Sequence, residues 1–167
     1  MSNTWPTEFR HRMDKYRSSH PPKDGEIDIS IKVRVTSGCF HREHSPRAYE
    51  IIDKALTKVR KQNPEIFLEE HESGPEILVY MTLTAAGLQF AKSVIDLIVA
   101  VLEARTEGMR RGDHPRDPLK LIMRRTNREG DCTEEEVLII ESTDPVLEVE
   151  IEEKLTKAGK ALVKKGT

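Results

Sequence analysis

A chain of 167 residues, 34% of them charged and with a net charge of −2, has room for one domain with appendages, and about a quarter of it is Leu, Ile, Val or Phe, enough for a buried core. No stretch of about 20 residues is free of charge, which excludes a transmembrane helix, and the first residues lack the apolar run of a signal peptide. Two cysteines, Cys39 and Cys132, do not make a disulfide framework, so a cytoplasmic location is expected.

Residues 1–25 read as an arm and linker. Phe9, Met13 and Tyr16 share one face of a short helix opened by Pro6, and Ser18 to Pro22 reads as extended chain. That helix either packs on its own domain or serves as a mobile or partner-binding arm. From Glu26 to Thr36, Ile27, Ile29, Ile31, Val33 and Val35 alternate with polar residues, the pattern of a strand with one buried face. Ser45 then caps a helix with Pro46 at its first position, and Ala48, Ile51, Ile52, Ala55, Leu56 and Val59 form its apolar stripe up to Asn63-Pro64.

Ile66 to Glu70 is a short strand candidate, and Ile77, Val79, Met81 and Leu83 mark a second strong one. The segment Ala85 to Ala104 is the most apolar of the chain. Gln89, Lys92, Ser93, Asp96 and Glu103 fall on one narrow stripe, so a helix here must be covered on most of its circumference. Gly87 and Ala91, four apart, would let another helix approach closely. Leu119 to Thr126 and Val137 to Glu141 read as two strands, with Arg124, Arg125 and Arg128 facing Glu134, Glu135 and Glu136. A last helix at 145–165 has Leu147, Ile151, Leu155, Ala158 and Leu162 on one side, acids at its start and lysines at its end, as the helix dipole favours. The alternation of Leu147 to Ile151 leaves a strand open there.

This order predicts an α+β fold: a ferredoxin-like β-α-β-β-α-β core extended by a fifth strand and a C-terminal helix, with residues 26–167 as a single domain. Charge is strongly segregated. Residues 104–128 hold eight Lys/Arg against three acids, 129–153 hold eleven acids and no Lys or Arg, and the last fourteen residues hold five lysines and no acid.

Three constellations bear on function. Cys39, His41 and His44 are the densest ligand-type cluster, and a thiolate with two imidazoles can hold zinc if His20, His71 or Cys132 supplies a fourth ligand. His41-Arg42-Glu43 matches the H-x-E of zinc deaminases, but the companion P-C-x-x-C is absent and that reading is rejected. Arg105, Arg110, Arg111, Arg116, Lys120, Arg124, Arg125 and Arg128 form a basic footprint suited to phosphates. Yet the inner strands offer only Tyr80 for stacking, no RNP pattern is present, and the acidic block beside the footprint repels polyanions. The third is the apolar helix, around Leu97, Val101 and Leu102, as an exposed surface for a protein partner or a second copy, together with the charged C-terminal helix. No nucleophile elbow, P-loop or dinucleotide fingerprint is present.

The run Leu88 to Arg105, followed by the basic strand Leu119 to Arg125, a polar turn and a further strand, resembles the effector-associated constant components of prokaryotic conflict systems. The likeness is of layout over residues 26–142. It implies an adaptor that couples effector proteins to other components without catalysis, and it transfers no site residues. The expectation from sequence is therefore a non-enzymatic interaction module, with nucleic-acid binding second and zinc binding third.

Overall fold

A computed structural model describes residues 4–34, 46–71, 76–110, 118–127, 129–141 and 146–165. The elements run α1 (Trp5–Ser19), β1 (Glu26–Arg34), α2 (Pro46–Gln62), β2 (Phe67–His71), β3 (Glu76–Thr84), α3 (Lys92–Arg110), β4 (Leu119–Thr126), β5 (Cys132–Ile140) and α4 (Glu148–Lys165). The fold is α+β. The strands form one antiparallel sheet in the order β2-β3-β1-β4-β5. With β5 added beyond β4, the five-strand order is not that of a plain ferredoxin-like sheet. Among the described residues no helix is long and apolar enough to cross a membrane.

The alternation of β1 decides the layering. Ile27, Ile29, Ile31 and Val33 point to one face, where they join Val79 and Met81 of β3, Leu121 and Met123 of β4, and the apolar stripes of α2, α3 and α4 in the main core. The opposite face was expected to be wet. Instead Asp28 and Ser30 are buried there. The reason is α1: Phe9, Met13 and Tyr16 pack on Leu78 and Tyr80, forming a second, smaller core on the far side of the sheet. Of the two roles open to the N-terminal segment, packing on its own domain is the one seen.

Three local readings change. The apolar helix begins at Lys92, not Ala85; Ala85 to Gly87 form a turn in which Gly87 donates to Thr84 O at 3.2 Å. Leu88 and Phe90 lie instead against α4, and the glycine that allows the close approach is Gly159, where an added Cβ would meet Leu88 Cδ1 at 2.9 Å. Second, β5 starts at Cys132, five residues before the expected Val137. Arg124 faces Glu134 across the strands and bonds it at 2.7 Å, but Arg125 faces Thr133 and Glu135 pairs with Lys165. A bulge separates Leu121, opposite Leu138, from Ile122, opposite Glu136, leaving Val137 as the extra residue. Third, residues 148–151 are helix; burial of Ile151 and Leu155 beneath α4 outweighs the strand-like alternation.

Candidate functional site

The residues singled out from sequence scatter. Leu97 and Val101 are core side chains, and Leu102 is half-buried against the same core. α2 and α4 flank α3, and the sheet lies beneath. The surface expected on the apolar helix is thus filled from within the monomer. Of the four arginines of the basic set among the described residues, three are engaged. Arg105 is buried and donates to Glu141 O at 3.4 Å, and desolvation lowers its pKa. Arg124 bonds Glu134 and lies 4.2 Å from the centre of the Trp5 ring. Arg125 donates to Leu162 O at 3.2 Å, and burial, followed by the nearby Arg17, lowers its pKa. Only Arg110 and Lys120 of the set are described as exposed. Arg111, Arg116 and Arg128 lie outside the described residues, as does the whole Cys39, His41 and His44 cluster. Among the described residues no group of three or more His, Cys, Asp or Glu can hold a metal ion. Cys132 is free, with its thiol donating to Pro6 O at 3.5 Å.

The α1 face contains what the sequence did not reveal. Asp28, 1% exposed, accepts Thr82 Oγ1 at 2.6 Å and Arg17 Nε at 3.0 Å. Arg17 also donates to Thr126 O at 2.7 Å, so one guanidinium ties α1 to β1 and β4. Because Thr82 gives its proton to Asp28, the 2.9 Å contact with Tyr16 is a bond donated by the phenol. Burial pushes the Tyr16 pKa up, Thr82 opposes this, and Asp28, Glu65 and Glu26 add to it. The one available signal was the Phe9, Met13 and Tyr16 stripe, which needs an apolar partner. Its corollary, that the polar side of β1 must then be covered, does not follow from β1 alone.

Beside this network opens a cleft of about 520 Å³, at the end of the sheet where β1 begins and β3 finishes. Its walls come from the last turn of α1, the connection from α2 to β2, and the segment before α3. Asn63 anchors the middle wall: its amide nitrogen donates to Val59 O at 2.8 Å, closing α2, and its side-chain oxygen accepts the buried Ser93 hydroxyl at 2.6 Å. His20 forms part of the first wall, stacked on Tyr16 with ring centres 4.8 Å apart. Its Nδ1 is covered and has no hydrogen-bond partner among the described residues.

The outward side of α4 is the other distinctive surface. Val149, Glu152, Glu153, Thr156, Lys157 and Lys160 line a shallow groove along it. Leu147 and Val149 are 64% and 62% exposed, more than the other large apolar side chains left on the described surface, Phe67 and Ile139. Acids occupy the amino half of this stripe and lysines the carboxyl half. The chain matches no known family model, no curated protein and no solved structure.

Proposed function

We propose that this protein is a non-enzymatic interaction module that self-associates through the outward face of α4. The observation that carries this reading is the order of charge along that face. In an antiparallel, two-fold pairing centred near Thr156, Glu152 and Glu153 of one copy meet Lys157 and Lys160 of the other, and the reverse pairing follows by symmetry. Val149, exposed at the acidic end, then lies opposite Val163 near the lysine end of the other copy. Exposed ion pairs contribute about 0.2–1 kcal/mol each and weaken with salt, so the association is modest and salt-sensitive. The adaptor resemblance likewise implies a non-enzymatic role, though one that couples other proteins rather than copies of this chain. In the same reading, β1 to β4 with α2 and α3 form a ferredoxin-like core, supported by β1 lying between β3 and β4 with β2 outermost, and α1, β5 and α4 are additions to it.

The test is sedimentation equilibrium at low and high salt. The wild type is expected to dimerise at low salt and dissociate as salt rises. Lys157→Glu/Lys160→Glu and Glu152→Lys/Glu153→Lys are each expected to be monomeric alone and to form a heterodimer when mixed. A wild type that stays monomeric at low salt, or dimers indifferent to both variants, overturns the proposal. Nucleic-acid binding is the less favoured reading, because α1 covers the sheet face over Tyr80 and Arg105, Arg124 and Arg125 have internal partners.

A further inference from the structure

We propose that the cleft between α1, the α2–β2 connection and the segment before α3 binds a small organic ammonium ion with an apolar body. Its volume of about 520 Å³ falls within the range of small-molecule sites, roughly 300–1,000 Å³. The charge of the lining selects the ligand. Glu26 and Glu65 contribute carboxylates, and among the described residues no Lys or Arg lines the cleft. An anion entering it would meet two like charges without a counter-charge. A cation meets two acceptors that are already oriented. Glu26 is held through Oε1 by the Lys23 amide at 2.9 Å, and Glu65 through Oε1 by Asn63 Nδ2 at 3.2 Å. The second oxygen of each has no partner among the described residues.

The rest of the lining suits an apolar body. Ile66, Met81, Leu83 and Phe90 supply hydrocarbon. The walls are fixed rather than collapsible. Asn63 is bonded to Ser93, His20 is stacked on Tyr16, and Tyr16 is bonded to Thr82. A site whose groups are held before the ligand arrives loses less on binding. None of this involves the outward face of α4, so the inference stands or falls separately from self-association.

The experiment is titration of the ¹⁵N-labelled full chain with 2-phenylethylammonium chloride, followed by amide chemical shifts. A probe of this size is expected to bind with a dissociation constant of about 1–10 mM. Saturable shifts should centre on Asn63, Glu65, Thr82 and Phe90. The neutral isostere 2-phenylethanol is expected to bind about tenfold more weakly, and 3-phenylpropionate not at all at these sites. Glu65→Gln, on an exposed side chain, and Glu26→Gln/Glu65→Gln should each weaken the ammonium probe, the double variant by about tenfold or more, while preserving the spectrum away from the cleft. If the double variant disturbs the fold, Glu65→Gln and the three probes on the wild type decide. Shifts that do not saturate, equal binding of the three probes, or affinity unchanged in a folded variant overturns the proposal.

Discussion

The two faces of the sheet are built on different principles. The side under α2, α3 and α4 is a large, mainly hydrocarbon core, running from Ile27 to Leu162, with Ser93 and Arg105 of α3 as buried polar exceptions. The side under α1 combines a small apolar cluster with buried polar groups: Asp28, Ser30 and Thr126. The first face holds the fold together through area removed from water. The second fixes where α1 sits through a few directional bonds, and the cleft with oriented carboxylates opens beside it, at the end of the sheet. Burial alone does not separate the two, since Ile29 and Asp28 are equally inaccessible; what differs is whether each side chain requires a particular partner.

The sharpest way to break the first face is Leu97→Ala. The side chain is fully buried in the first half of α3, and its truncation is expected to destabilise the protein by about 3 kcal/mol, measured by urea unfolding. On the second face, Arg17→Ala removes the ion pair and leaves Asp28 buried with only Thr82, an expected loss of about 2 kcal/mol. Arg17→Lys should recover only part of it, because a lysine cannot reproduce the guanidinium fork that reaches both Asp28 and Thr126.

A smaller effect concerns pH. Burial, then the charge of Glu69, raises the pKa of Tyr80, and burial raises that of Tyr16. The folded state therefore holds these protons more tightly than the unfolded state. The resulting stability is complete below the unfolded value of about 10 and is lost as the pH rises above it toward the folded values. Tyr80→Phe is expected to flatten the alkaline fall in stability relative to the wild type, and a fall of the same steepness would show that another group is responsible. The smallest effect is at Ser30, whose buried hydroxyl has no partner among the described residues. Ser30→Ala should be neutral or stabilise by up to about 1 kcal/mol, in contrast to loss of the Arg17 bonds.

Most of the elements were legible because their signals are local. Alternation marked β1 and β3, Pro46 and Asn63 bracketed α2, and the spacing of Ile151, Leu155, Ala158 and Leu162 marked α4. What could not be read depends on residues distant in sequence. Leu97 and Val101 are as apolar in a core as on an interface, and only the positions of α2 and α4 decide between them. Asp28 looks like a solvent-facing residue of an amphipathic strand until α1 is laid over it. The arginines read as a field of positive charge because sequence shows their number; it does not show that Arg125 ends on a carbonyl of α4 or that Arg124 lies over Trp5. The cleft draws its walls from four separate stretches of chain, so no window of sequence contains it.

The bulge in β5 has a consequence for tolerance to deletion. In a regular strand, losing one residue turns every side chain beyond it to the wrong side. Val137 has no residue opposite it, and the pairs on either side, Leu121 with Leu138 and Ile122 with Glu136, already follow each other in step. Removing Val137 leaves the acidic half of β5 and its aliphatic half each facing the way they do now, at the expense of one buried valine. The strand thus carries a spare residue, a place where the chain can shorten without inverting the pattern of β5.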